Sequence, residues 1–133
     1  MKTLRSMPVI DVTDVTKSVA FYARLGFRGH GIWDDPTTGF SIVQRGDVTI
    51  GLNGHHDGVS RNGGWAAYIY VNDIEKLHAE FLGLGLEPTP LGAVKPYGCR
   101  DFDMVDLDGH RIAFGQDMSP ENGPGLSDER GRG

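Results

Sequence analysis

Apolar and polar positions along this chain run through the same cycle twice. Residues 7–12 are short, apolar and β-branched, and predict a strand. From Asp14 the period lengthens: Val15, Val19, Tyr22 and Ala23 fall at i, i+4, i+7 and i+8. That stripe predicts a helix capped by Asp14, running to Leu25 and stopped by Gly26. Asp34-Asp35-Pro36-Thr37-Thr38-Gly39 is a turn-rich connection, after which 40–44 and 48–52 predict two strands around a tight Arg45-Gly46-Asp47 hairpin. The cycle then restarts. Residues 65–71 predict a strand, and 73–84 a helix with Ile74, Leu77, Phe81 and Leu82 on its apolar face. Residues 100–105 and 111–115 predict a closing strand pair around Leu107-Asp108-Gly109, whose Asp-Gly step favours a turn.

The two cycles are copies of one unit. Val12-Thr13-Asp14-Val15-Thr16-Lys17 is echoed by Val71-Asn72-Asp73-Ile74-Glu75-Lys76, and Leu25-Gly26-Phe27 by Leu84-Gly85-Leu86, at a constant offset of 59 (71 − 12 and 85 − 26). Each copy reads as strand, helix and three more strands, although the third strand of the second copy, in a stretch holding Pro88 and Pro90, is weakly marked. The predicted fold is therefore α+β: two βαβββ repeats, over 7–53 and 65–116, forming a curved mixed sheet with helices outside. Residues 1–116 make one domain. Residues 117–133 are rich in Pro, Gly, Ser and charge, and read as a disordered tail.

Composition narrows the function classes. A formal charge of −5, from 18 acidic against 13 basic residues, disfavours binding to nucleic acid through phosphate neutralisation and permits a cationic ligand. No apolar run approaches the ~20 residues of a membrane span, and none follows Lys2 and Arg5 as a secretory signal would require. The lone Cys99 has no intrachain partner, in keeping with a reducing cytoplasm.

Four stretches carry a family resemblance. They are Pro8-Val9-Ile10 with Lys17-Ser18-Val19-Ala20-Phe21-Tyr22-Ala23-Arg24-Leu25-Gly26-Phe27; Gln44-Arg45-Gly46-Asp47-Val48-Thr49; Pro96-Tyr97-Gly98-Cys99-Arg100-Asp101-Phe102; and Val105-Asp106-Leu107-Asp108-Gly109. Together they resemble the vicinal oxygen chelate superfamily of glyoxalases, extradiol dioxygenases and bleomycin resistance proteins, over residues 7–116. The aromatic-Gly-x-Arg-acid-Phe run leans towards the bleomycin resistance branch.

The resemblance implies a divalent metal held by His or Glu from the first and last strands of each half in the enzymes of the superfamily. The matching positions here are Met7, Gly51, Ala66 and Ala113. Met offers a soft thioether, and Gly and Ala offer no side-chain donor to a hard or borderline ion. The expectation is thus no metal cofactor and no metal-dependent catalysis, leaving a binding function.

Strand alternation says what would share the face of those positions: Val9 and Asp11 with Met7, Thr49 and Asn53 with Gly51, Tyr68 and Tyr70 with Ala66, Arg111 and Gly115 with Ala113. In the bleomycin resistance branch the resemblance implies a homodimer whose inter-subunit groove sandwiches the flat rings of a drug between aromatic side chains. Carried over by motif, Phe40, Tyr68, Tyr70 and Tyr97 are the lining aromatics, with Trp33 and Trp65 less firmly placed and Asp34 and Asp35 available to a cationic tail. Each has a plainer rival: Phe40, Tyr68 and Tyr70 as core, Trp33 as a surface residue, Asp34 and Asp35 as turn residues.

Other chemistry-bearing residues point elsewhere. Adjacent histidines point apart, so His55-His56-Asp57 in its Gly-rich stretch reads as a solvated loop ahead of a metal site. His78 reads as a helix-surface residue and His110 as following the last turn. Cys99 lacks a neighbouring base, and Arg100 beside Asp101 suggests a structural ion pair. The leading expectation is a non-catalytic protein that sequesters a bleomycin-type antibiotic. The alternatives are a glyoxalase-like lyase or isomerase with a displaced metal site at His55 or His56, and a binding module for another small aromatic metabolite.

Overall fold

The computed structural model describes residues 1–55 and 63–119. The element order is β1 (Val9–Val12), α1 (Val15–Arg24), β2 (Arg28–Trp33), β3 (Phe40–Arg45), β4 (Val48–Gly54), β5 (Trp65–Tyr70), α2 (Ile74–Gly83), β6 (Cys99–Val105) and β7 (Arg111–Asp117). Two compact units emerge: residues 1–66 with the 105–110 turn, and residues 67–104 with the chain from 111 onward. None of the helices among the described residues is long and apolar enough to cross a membrane.

The repeat is real at the level of caps. Asp14 accepts a hydrogen bond from Lys17 N, and Asp73 one from Lys76 N, each satisfying a free N–H of a first helical turn. Gly26 and Gly85 end the two helices at φ 88° and 78°, a left-handed conformation that favours glycine. The Arg45 guanidinium adds a cationic cap to α1, donating to the Leu25 carbonyl at 2.8 Å.

In the first unit the sheet order is β1-β4-β3-β2, with β1 parallel to β4 and the other pairs antiparallel. Ile10, Val12, Val43, Ile50 and Leu52 are buried on the face that α1 covers with Val15, Ser18 and Tyr22. The buried stripe of α1 thus differs from its sequence reading: Ser18 is buried and Ala23 is exposed. Val15, Ser18, Tyr22 and Leu25 follow i, i+3, i+7, i+10.

The 105–110 turn is stitched to this unit by polar contacts. Tyr22 Oη, fully buried, donates to Asp106 Oδ2 at 2.7 Å, while Asp106 Oδ1 accepts from Asp108 N and His110 N, both at 2.9 Å. The His110 ring is buried and its Nε2 lies 2.6 Å from the Asp11 carbonyl.

The second unit has a three-stranded sheet, β5-β7-β6. Its core is aromatic: Phe81 of α2 sits edge-on to Phe102 at 5.9 Å and Phe114 at 5.4 Å, and those two stack at 5.7 Å. Leu82, expected on the buried face of α2, is exposed. The strands are hydrogen-bonded as two small sheets, and among the described residues the second copy lacks the counterpart of β2. Pro88, Pro90 and Pro96 interrupt that stretch, and proline has no N–H for a ladder. β7 reaches Asp117, and Met118 N donates to the Gly98 carbonyl, so the described chain continues two residues past β7; 120–133 of the expected tail lie outside the described residues.

Candidate functional site

Each sheet has a face turned away from its helix; Phe40, Tyr68 and Tyr70 lie on those faces, Tyr97, Asp34 and Asp35 lie in loops, and Trp65 falls by alternation on the same side of β5 as the core residue Ile69. In the first unit the register aligns Val9, Gly51 and Ile42 in one rank, and Asp11, Asn53 and Phe40 in the next. A Cβ on Gly51 would stand 3.0 Å from Phe40 Cζ, 3.1 Å from Val9 Cγ2 and 3.2 Å from Met7 Cε. Met7 and Gly51 are therefore neighbours, with the Met7 thioether methyl standing beside the place a Gly51 side chain would begin. Phe40 is half-buried on this open face rather than in the core, and Trp33 lies 6.1 Å from it, itself half exposed.

The acids beside Trp33 divide. Asp35 Oδ1 accepts from Thr37 N and Thr38 N at 2.7 and 3.0 Å, so its carboxylate builds the turn. Asp34 is exposed, with φ 66°. Trp65 opens β5 and is exposed. His55 Nε2 lies 2.9 Å from Asn53 Nδ2 and 3.3 Å from Asp11 Oδ1; His56 and Asp57 lie outside the described residues. No three His, Cys, Asp or Glu side chains converge among the described residues.

The second unit concentrates aromatic and ionic groups. Ile69 faces the core, so by alternation Tyr68 and Tyr70 stand on the opposite face, with ring centroids 5.1 Å apart. Tyr97, in the loop before β6, meets Tyr68 edge-on at 6.4 Å. Both hydroxyls converge on one carboxylate: Tyr68 Oη donates to Asp101 Oδ2 at 2.9 Å, and Tyr97 Oη makes a very short bond to the same oxygen. Lys95 Nζ binds Asp101 Oδ1 at 2.9 Å.

Gly115, on the adjacent strand, makes this convergence possible. A Cβ there would fall 2.6 Å from Tyr68 Cζ and closer still to its hydroxyl. Arg100, expected to pair with Asp101, instead reaches Glu75 Oε2 at 2.5 Å and the Gly92 carbonyl, because successive strand residues point to opposite faces. His78 is half-buried, its ring against Phe102 and its Nε2 3.0 Å from the Thr89 carbonyl. Cys99 is buried and burial pushes its thiol up, only partly opposed by the Tyr68 hydroxyl, which disfavours the thiolate.

Burial works against ionisation of Asp101, but the hydrogen bonds from Tyr97, Lys95 and Tyr68 outweigh it and hold the carboxyl below the usual carboxylate range. Burial first, then the bond to Asp101, pushes the Tyr68 and Tyr97 phenols up, so both hydroxyls stay donors. The linkage follows in sign. A carboxyl lowered on folding stabilises fully above its unfolded value of ~3.9 and loses that contribution as pH falls through the lowered value. The stability gap between wild type and Asp101→Asn should shrink on acidification from pH 7 to pH 3, measured by urea denaturation. An equal gap at both pH values would refute the assignment.

Sequence reasoning missed Asp101, Lys95 and Gly115 as one constellation. Period-2 alternation puts Gly115 two residues beyond Ala113 on the same face, a signal available in the sequence; Asp101 was masked by its Arg100 neighbour.

A helix packed on a sheet, built twice with matched caps and stops, is the fold of the vicinal oxygen chelate superfamily, which holds the glyoxalases, bleomycin resistance proteins and dioxygenases. No protein-family model matches the chain, and neither does any curated protein. Among solved structures, a glyoxalase-related enzyme from Clostridium phytofermentans matches at TM-score 0.72 and 19% identity, over 88% of this chain and 97% of its own. A bleomycin resistance determinant encoded on transposon Tn5 matches at TM-score 0.67 and 25% identity, over 86% and 98%. The bleomycin-binding protein of bleomycin-producing Streptomyces verticillus, in complex with copper(II)-bleomycin, matches at TM-score 0.67 and 28% identity, over 86% and 96%. These neighbours support a binding or resistance role within the superfamily.

Proposed function

We propose that this protein binds and sequesters a cationic, flat-ringed antibiotic of the bleomycin type without transforming it, acting as a homodimer. The observation that carries the reading is the pair of aromatic clusters on open sheet faces. Phe40 stands beside Gly51 with Trp33 6.1 Å from it, and Tyr68 and Tyr97, both bonded to Asp101, gather with Tyr70. Flat rings offer contact area at low entropic cost, and small residues at the superfamily's metal positions leave room beside them. The partner subunit's copy of these faces would complete a groove deep enough to enclose a drug-sized ring system.

Expression in a bleomycin-sensitive bacterium should raise the drug's inhibitory concentration, with chemically unmodified drug recoverable from the protein. Phe40→Ala combined with Tyr97→Leu should abolish the protection while leaving the fold intact. No protection at full expression, or drug returned modified, would overturn the reading.

The rival is a glyoxalase-like metalloenzyme centred on His55. Its support is the approach of His55 to Asp11, one imidazole and one carboxylate where such sites use three or four protein ligands. Elemental analysis of the purified protein separates the two, since near-stoichiometric Ni, Zn, Mn or Fe would favour the enzyme.

A further inference from the structure

Among the described residues, the second unit holds one buried carboxylate oxygen with no hydrogen-bond partner. Asp117 closes β7, and its Oδ1 accepts from Ser119 N at 2.9 Å. Its Oδ2 is buried and has no hydrogen-bond partner among the described residues. A buried acceptor left unmade costs free energy that a polar partner would recover. Among the described residues, Lys95 is committed to Asp101. The balance of Lys95, Asp101 and Asp117 is therefore one net negative charge.

That charge lies on the tyrosine face. Asp117 and Gly115 are two apart on β7 and share the face on which Tyr68 covers Gly115. Val71 N donates to the Gly115 carbonyl, fixing β7 against the end of β5 where Tyr70 stands. Met118 N donates to the Gly98 carbonyl, which ties the end of β7 to the residue after Tyr97. Burial, then Cys99, then the Asp117 carboxylate push the Tyr70 phenol up, as a nearby anion must.

The rings supply the walls. Tyr68 is held by Asp101, and Tyr70 and Tyr97 each contact it at inclinations of 56° and 82°. Tyr70 and Tyr97 remain 50% and 41% exposed, so both rings can be reached by a ligand. Inclined aromatic faces beside a carboxylate attract a desolvated cation both by ring quadrupole and by charge.

We propose that Tyr68, Tyr70 and Tyr97, with Asp117 on the same sheet face, form a cage for an alkylammonium group of the ligand. An N–H donor matches the unsatisfied Asp117 oxygen, so a protonated amine is preferred over a quaternary ammonium. The inference rests on the small-molecule-binding reading above and specifies which end of the ligand this face takes.

The probe is 4-phenylbutylamine at pH 7, against its uncharged counterpart 4-phenylbutanol and its N,N,N-trimethyl derivative. Each is titrated into the full-length protein by calorimetry, with tyrosine ring resonances followed by NMR. The amine should bind at least tenfold more tightly than the alcohol and severalfold more tightly than the trimethyl derivative, shifting the Tyr70 and Tyr97 resonances. Asp117→Asn should cut the preference for amine over alcohol to threefold or less. Tyr97→Leu, at an exposed loop position, should weaken both charged ligands. Equal binding of amine and alcohol, or a full preference surviving in a folded Asp117→Asn variant, would overturn the cage. Drug binding without amine preference would sink the cage and keep the sequestration reading; amine preference without drug binding would do the reverse.

Discussion

Replacing Asp106 by alanine should destabilise the folded protein by about 3–5 kcal/mol, since each buried donor left unsatisfied costs ~1–3 kcal/mol. Asp106 serves three donors at once: the hydroxyl of fully buried Tyr22, in the last turn of α1, and the backbone N–H groups of Asp108 and His110. Asp108 N can find water, because its residue is only half-buried; Tyr22 and His110 cannot. The companion Tyr22→Phe removes one bond to a charged acceptor and leaves the turn satisfied, so its cost should be nearer ~1.5–3 kcal/mol. Urea denaturation of the two variants checks the ranking. An Asp106→Ala variant as stable as wild type would show that the turn is held by something other than this carboxylate.

The second large effect is expected at Gly115. Its substitution by alanine places a methyl where the Tyr68 ring and hydroxyl now lie, and a rigid ring cannot yield locally as a lysine tip could. Overpacking costs ~1–3 kcal/mol, and the lost bond to a charged Asp101 adds ~1.5–3 kcal/mol. The sum is about 3–5 kcal/mol. A stability loss alone would mark Gly115 as a packing residue. The double variant Gly115→Ala with Tyr68→Leu is diagnostic, since removing the obstructing ring should make the Gly115→Ala cost fall by at least half. An undiminished cost in the double variant would remove Tyr68 as the cause.

These effects arise from parts of the chain that differ in how openly the sequence declares them. Caps and stops are local: Asp14, Asp73, Gly26 and Gly85 act on residues three or four away, so their pattern at offset 59 reveals both helices and the repeat. The open faces were legible too, because alternation puts Tyr68 and Tyr70 opposite Ile69 whatever the tertiary arrangement. β2 is different. Arg28-Gly29-His30-Gly31 has no apolar period, and the strand exists through its pairing with β3. The loss of its counterpart in the second copy follows from prolines that remove N–H donors.

Long-range polar convergence is the least legible layer. Nothing local pairs Tyr22 with Asp106, 84 residues away, or joins Tyr68 to Asp101, 33 residues away. Sequence adjacency even misleads there, suggesting Arg100 as the partner that Lys95 supplies. Likewise Ser18 is buried and Ala23 exposed, because a helix's buried face is set by what packs against it and small residues carry little signal of their own.

The central claim is that these aromatic faces hold a drug and leave it unchanged. Isothermal titration of the purified protein with metal-free bleomycin at pH 7 tests it most directly, with the titrated drug analysed afterwards by mass spectrometry. The account predicts saturable heat with a fixed stoichiometry per subunit, intact drug, and affinity reduced at least tenfold by Tyr97→Leu. Absence of any binding heat with bleomycin and its close glycopeptide relatives, or mass change in the recovered drug, would contradict it.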